Sequence, residues 1–335
     1  ALLQYLHETQ KNSLAHLMEL KVYSTENYMV IDSSTRRNLE LCETLREKGK
    51  KGSLLWVLDK TKTAMGARTL RKMIEQPLIH KGAIQDRLDA VEMLKDNLMA
   101  REELREYMNS IYDLERLTMK VSYRTANPRD LISFKTSIQY LPYIKDILAQ
   151  FSKGVLAKMA ESLDTLEDLH ELLESSIEED PPIPIKEGGI IKEGFDEEID
   201  HLKKAKTDGK TWLAELEERE REKTGIKNLR VRFNKVFGYY IEVTNSYKDL
   251  VPDYYIRRQT LANAERYTTE ELSELARTIL GAEDKLYALE YEIYVAIREK
   301  LASEMERIQK TASVIAWTDV FASLALVAEA NQYVR

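Results

Sequence analysis

Leu229-Arg230-Val231-Arg232-Phe233-Asn234-Lys235-Val236-Phe237-Gly238-Tyr239-Tyr240-Ile241-Glu242-Val243-Thr244 is the stretch on which the fold turns. Leu229, Val231 and Phe233 alternate with Arg230 and Arg232, and a second β-rich run begins at Tyr239. The loop between them carries Asn and Gly, so the stretch reads as a hairpin. On both sides the apolar period returns to that of a helix. Upstream, Asp196 can cap a helix that ends near Thr224-Gly225, with Phe195, Ile199, Leu202, Leu213 and Leu216 as a thin seam. The seam is weakest around Lys206-Thr207-Asp208-Gly209, and the run Glu215 to Lys223 is too charged to be buried on more than one side. Downstream, over 269–308, Leu272, Leu275, Ile279, Leu286, Leu289, Ile293, Leu301, Met305 and Ile308 keep a 3–4 alternation. That predicts one helix of about five heptads, on the order of 60 Å long. The expectation is two long antiparallel helices forming an arm with a small β-containing tip at its far end.

Around this arm the chain reads as helical. Leu2, Leu6, Leu14, Leu17 and Leu20 predict an amphipathic helix over 1–22. Tyr28 to Asp32 reads as extended, and Ser33-Ser34-Thr35 offers an N-cap to the next helix. The helical pattern then continues to about residue 176, broken at Gly49–Gly52, Gln76-Pro77, Asn127-Pro128 and Lys153-Gly154, as in a multi-helix bundle. Asp180-Pro181-Pro182-Ile183-Pro184 stops helix, because proline lacks the amide donor and restricts the residue before it. Gly188-Gly189 and Gly194 bracket Ile190-Ile191 as a short strand or turn. The fold class is mainly α: a core bundle, two long helices and an inserted β element.

Composition agrees. The 335 residues are enough for two or more structural units; 43% apolar and 32% charged residues, with only 12 Gly and 7 Pro, favour long solvated helices over a sandwich or barrel. The net charge of −7 excludes a uniformly basic nucleic-acid binder. The charge is unevenly placed, however. Residues 226–266 hold Lys227, Arg230, Arg232, Lys235, Lys248, Arg257, Arg258 and Arg266 against Glu242, Asp249, Asp253 and Glu265, leaving this segment at about +4 and the remainder at about −11. Such a distribution fits contact between the β element alone and a polyanion, and it equally fits a solvated β surface. Asn234, Gln259, Thr260 and Asn263 add neutral donors suited to phosphate oxygens. No side chain here is assigned to a base edge.

Other chemistries find little support. Gly209-Lys210-Thr211 resembles the end of a phosphate-binding loop, but the required earlier glycine is replaced by Lys204 and no strand precedes it. The histidines (His7, His16, His80, His170, His201) never pair at ligand spacing, so no metal site is expected. Glu178-Glu179-Asp180 reads as solvated charge, and Cys42 as a packed thiol. With no run of about 18 apolar residues, no membrane span is expected. Ala1 carries no leader, from which a piece of a longer, cytoplasmic chain is expected.

Six strings in order then carry a resemblance. Thr35-Arg36-Arg37-Asn38-Leu39-Glu40-Leu41, the run from Leu58 to Arg71 with Gln76-Pro77-Leu78 after it, Asp113 to Leu117, Asn127 to Leu131, Phe233 to Val243 and Arg257 to Tyr267 resemble the core and clamp motifs of the bacterial MutS DNA mismatch-repair family. The resemblance implies that 1–28 end a connector domain, 29–209 begin a core and lever domain, 210–270 form an inserted clamp, and 271–335 are the return helices. It implies a ring-shaped dimer on double-stranded DNA, with a second MutS subunit as partner and the clamp touching the duplex backbone without sequence preference. Carried onto this sequence, the hairpin loop (Asn234, Lys235) and the later turn (Asn263, Arg266) are the expected DNA-proximal residues, with Arg230, Arg232 and Lys227 behind them. No catalytic residue, metal or cofactor is expected in this chain. ATP and Mg²⁺ belong to an ATPase domain, and the Phe-x-Glu mispair wedge to an N-terminal domain, outside it. Phe195-Asp196-Glu197 matches the wedge letters but opens a helix. Lever stiffness would transmit the ATPase state, with Gly209 as a softening point whose replacement by Ala stiffens the arm. A structural coiled-coil protein with no nucleic-acid role is the alternative.

Overall fold

A computed structural model describes Tyr5, residues 27–234, Val236 and residues 238–335. The helix expected over 1–22 and the connector segment lie outside the described residues, apart from Tyr5 and the last two connector positions. The described chain forms two compact units: residues up to Ile183 together with Val295–Arg335, and Pro184–Tyr294.

In the first unit, helices α1 (Ser33–Asn38), α2 (Leu54–Leu58), α3 (Ala64–Glu75), α4 (Lys81–Asp96), α5 (Leu98–Asn109), α6 (Leu114–Ser122), α7 (Pro128–Ile138), α8 (Leu141–Ala149), α9 (Gly154–Ser162) and α10 (Glu167–Ser176) follow one another. Their ends follow local chemistry. Asn127 caps α7 in a full capping box with Asp130, and Pro128 occupies the first turn, where a missing amide costs nothing. The cap of α1 is Asp32, whose carboxylate accepts from the Thr35 amide at 2.7 Å, rather than a residue of Ser33–Thr35. Tyr28 bridges to Leu78, consistent with the extended reading of 28–32.

The unit is built around the last helix, Met305–Ala330, which packs on α2 to α6 and α9. Ile308, Ile315, Val320, Phe321 and Ala325 are buried along it. This helix is long and apolar enough to cross a membrane, but 67% of its most apolar window is buried in the unit's core. It also carries fully buried polar groups. Asp319 accepts from the amides of Lys62 (2.9 and 3.0 Å) and Thr63 (2.7 Å) and from the Thr63 hydroxyl (2.7 Å). Ser323 accepts from the Lys60 amide at 2.7 Å and donates to the Leu58 carbonyl at 2.8 Å. The Leu58-to-Arg71 string is therefore a joint. It threads an irregular segment past a buried carboxylate that meets the Lys62 and Thr63 amides just before α3, at the helix end where the dipole favours negative charge. Gly66 is fixed by the same contact, since a Cβ there would lie 2.3 Å from Asp319 Oδ2.

The second unit holds α11 (Glu197–Thr224), strands β1 (Arg230–Asn234), β2 (Gly238–Thr244), β3 (Ile256–Thr260) and β4 (Ala264–Thr268), and most of α12 (Glu270–Ser303). Asp196 caps α11 through the Glu198 and Ile199 amides, and Gly225 ends it at φ +70°. The helix expected to run unbroken over 269–308 stops at Ser303. Glu304 sits outside helical geometry (φ −97°, ψ 14°), its amide turning back to the Leu301 carbonyl, and α13 restarts at Met305. Periodicity does not register such a break, because the apolar spacing survives it. Ile190 and Ile191 are buried, and the segment is a bridge residue at Ile191 followed by a turn at Glu193 and Gly194, the second of the two forms expected there.

Candidate nucleic-acid interface

The four strands form one antiparallel sheet in the order β1-β2-β4-β3. Residues directly opposite each other share a face. Val231, Ile241 and Tyr267 therefore share one face, as do Val243 and Glu265. That face closes over Leu213 and Leu216 of α11 and Leu272 and Ile279 of α12, with Ile226, Leu229 and Tyr255 completing the core. Arg230, Glu242, Arg266 and Gln259 line up across all four strands on the other face, beside Arg232 and Tyr240.

The sheet is inserted where the two helices end, and its strands run back along their flank instead of projecting beyond them. The Val231 amide donates to Glu217 at 2.8 Å, and the Arg221 guanidinium to the Leu229 carbonyl at 3.0 Å, so β1 descends α11. The hairpin turn reaches α12 at Leu280, 3.8 Å from a Cβ built on Gly238. At that level the helices pack tightly: a Cβ on Gly209 would lie 2.5 Å from Ile279 Cγ1. Lys206 beside it pairs with Glu283 at 2.7 Å and donates to the Tyr287 hydroxyl at 2.9 Å. The weak stretch of the seam is thus a tight crossing, and Gly209 is the residue that permits it. Because Ile279 packs against it, replacing Gly209 by Ala should loosen the helix pair rather than stiffen the arm. Overpacking costs about 1–3 kcal/mol, of which about 1 kcal/mol is returned by the better helix propensity of alanine. Thermal unfolding should show a lowered midpoint for Gly209→Ala, and combining it with Ile279→Ala should give a loss smaller than the sum of the two single losses; an unchanged or raised midpoint for Gly209→Ala would favour the softening view. Gly209-Lys210-Thr211 lies inside α11, and its amides do not form a phosphate cradle.

Within the charged run of α11, Glu220 is buried (3% exposed), on the one side that such a run can bury. It accepts from the hydroxyls of Tyr254 (2.8 Å) and Tyr255 (2.9 Å), fastening the segment before β3 to the helix. Burial, with the hydrogen bond to Glu220 behind it, pushes the Tyr254 hydroxyl up to about 12. Glu265, also buried, binds Lys248 at 2.8 Å, lies 3.8 Å from Arg257 and accepts from Tyr267. The Lys248 ammonium, helped by the Tyr267 hydroxyl, holds its carboxyl below the ordinary value.

The sequence-predicted residues fall into three groups. Arg230, Arg232 and Arg266 share the free face. The side chains of Arg230 and Arg232 are 64% and 59% exposed, whereas that of Arg266 is only 20% exposed. Arg266 stacks over Tyr240 at 4.5 Å and donates to Gln259 at 2.8 Å. Asn234 is in the hairpin turn, where its side chain accepts from the Val236 amide at 3.0 Å. Lys235 lies outside the described residues. Asn263 is exposed in the β3–β4 turn, and its carbonyl accepts from the Asn245 amide at 3.2 Å. Register puts Asn234 and Asn263 at opposite ends of β2, about 20 Å apart at some 3.4 Å per residue, and not in one cluster. Lys227 is exposed beside the start of β1 and, with Arg258, has no ion-pair partner among the described residues. Lys248, Arg257 and Arg258 were counted as charge but not singled out. Arg257 and Arg258 stand exposed on β3, an edge strand, and the charge of Arg257-Arg258-Gln259-Thr260 is the sequence signature of such an edge.

These features define a class: a helical core protein with a small antiparallel sheet inserted between two long helices, apolar where it meets them and basic where it is free. The profile of MutS domain III matches residues 34–325, and the chain belongs to that family. It is 62% identical over all 335 residues to a DNA mismatch repair protein MutS of Lachnoclostridium phytofermentans, of which it covers 36%. It is 57% identical over 333 residues to that of Acetivibrio thermocellus, covering 38%, and 56% identical over 335 residues to that of Caldanaerobacter subterraneus, covering 39%. The chain spans somewhat over a third of the curated relatives it matches.

Proposed function

We propose that the free face of the sheet holds the sugar–phosphate backbone of duplex DNA without reading its sequence, as the clamp of a mismatch-repair protein. The observation that carries this is the two-sidedness of the sheet. One face is spent on the apolar core with α11 and α12, while the other carries Arg230, Arg232 and Arg266 in register. Lys227, Lys248, Arg257 and Arg258 extend the positive surface around its edges. Guanidinium and ammonium groups on exposed stems suit phosphate oxygens. Asn234, Lys235 and Asn263 are proposed to touch the backbone from the two ends of the sheet, with Arg266 chiefly positioning the face from within it.

The helix pair is proposed to couple this clamp to the remainder of a dimeric MutS, the second subunit supplying a second clamp. Chemistry with ATP and Mg²⁺ is assigned to parts of the relatives outside this chain, whose one glycine-lysine-threonine string is helical. The chain itself is read as a non-enzymatic binding and lever element.

A salt titration tests the reading. Fluorescence anisotropy with unrelated duplexes should give equal affinities, roughly 10⁻⁴–10⁻⁶ M near physiological salt, that weaken steeply as salt rises. The structural coiled-coil alternative requires no binding even at low salt.

A further inference from the structure

On the free face one carboxylate lies amid the arginines. Glu242 occupies the centre of the register, opposite Arg230 on one side and Arg266 on the other. Its two oxygens are divided between neighbours: Oε1 is 3.4 Å from Arg232 Nε, and Oε2 is 3.5 Å from Arg266 Nε. Neither distance is a well-made hydrogen bond, and Arg266 Nε has no hydrogen-bond acceptor despite being buried. The carboxylate side chain is itself only 20% exposed. The guanidinium of Arg266 is otherwise held over the Tyr240 ring and tied to Gln259. Arg232 is exposed and has no other ion pair among the described residues.

This is an arrangement in which two cations face one weakly held anion at the middle of a surface. A carboxylate there does little to build the sheet, whose other face supplies the apolar core. It does lower the positive potential in the place where a phosphate would sit. We infer that Glu242 is a built-in counter-charge, a stand-in for phosphate that occupies Arg232 and Arg266 in the free protein and holds down the grip of this face on DNA. The inference rests on the reading of that face as a DNA-backbone clamp. Phosphate must displace the carboxylate, or share the arginines with it, so each productive contact gains less than an unopposed arginine would give. A grip weakened in this way releases readily, as a clamp moving along a duplex requires.

The test is the affinity of the 335-residue chain for a fluorescein-labelled duplex across a salt series, for the wild type, Glu242→Gln and Glu242→Asp. Glutamine keeps the shape and removes the charge; aspartate keeps the charge. If Glu242 opposes phosphate, Glu242→Gln should bind about fivefold to tenfold more tightly near 0.1 M salt. Its slope of log K on log salt should be steeper by about 0.9 for each arginine set free. Glu242→Asp should stay close to wild type. Equal affinity and slope for wild type and Glu242→Gln, with both binding, overturns the counter-charge and leaves the clamp reading standing. Weaker binding by a Glu242→Gln protein whose thermal midpoint is unchanged overturns it as well, because the carboxylate would then be aligning the arginines. Absence of binding by wild type and variants alike at low salt overturns the clamp reading and this inference with it.

Discussion

Asp319→Ala is expected to unfold the first unit at temperatures where the wild type is stable. The carboxylate is wholly buried on α13, and it satisfies two main-chain amides and a hydroxyl of the segment leading into α3. Removing it strands those donors away from water, at about 1–3 kcal/mol each. A cost on the order of 3–5 kcal/mol is comparable to much of a domain's stability. Burial pushes the Asp319 carboxyl above its ordinary value, while the Lys62 and Thr63 donors pull it back toward the charged form. Asparagine is a poor substitute, since its amide would turn N–H groups toward groups that are themselves donors. Thermal or urea unfolding should give a midpoint far below wild type for Asp319→Ala and a smaller loss for Asp319→Asn. Gly66→Ala tests the same joint from the other side, because its new methyl would meet the carboxylate directly. Wild-type midpoints for all three would show that the joint contributes little.

What could be read from the sequence was what is written locally. Asp196 and Gly225 bound α11 as expected because a cap depends on a few neighbouring residues. The same is true of Asn127-Pro128 at α7 and of the hairpin, whose turn residues and period-two alternation lie within one short run. Strands β3 and β4 were not separately legible: Arg257-Arg258-Gln259-Thr260 is too polar to alternate, and pairing with β4 is what makes it a strand. Nor could periodicity show that Gly209 is packed tightly against the other helix. The partner, Ile279, is far away in sequence, and a glycine reads as weakness until something is found packed on it. Nor was the burial of Glu220 legible, for the same reason. A charge within a charged run looks solvated until the tyrosines that bury it are placed. For the candidate interface, the excess of cations was legible. Its arrangement was not, because which cations share a face and which are separated by the length of a strand follows from register alone.

The largest effect on binding is expected from reversing the two most exposed arginines of the free face. Arg230→Glu with Arg232→Glu removes two cations from a surface whose affinity is set by counterion release, and places two anions there. Each lost contact is worth about eightfold near 0.1 M salt, so the pair should cost on the order of 100-fold. Arg230 also lies 3.6 Å from Glu217 and Arg232 3.4 Å from Glu242, so circular dichroism and thermal unfolding are measured beside binding to show that the double variant is folded. A net-charge effect is separated by reversing Lys153 and Lys158, exposed on or next to α9 in the first unit, where the same change of charge falls outside the sheet. The decisive measurement is therefore duplex affinity for these two double variants beside wild type, each across the same salt series. Near-abolished binding and a shallower salt slope for Arg230→Glu/Arg232→Glu, with Lys153→Glu/Lys158→Glu close to wild type, is the predicted result. Equal binding by all three, or equal losses in both variants, would contradict the assignment of DNA contact to this face.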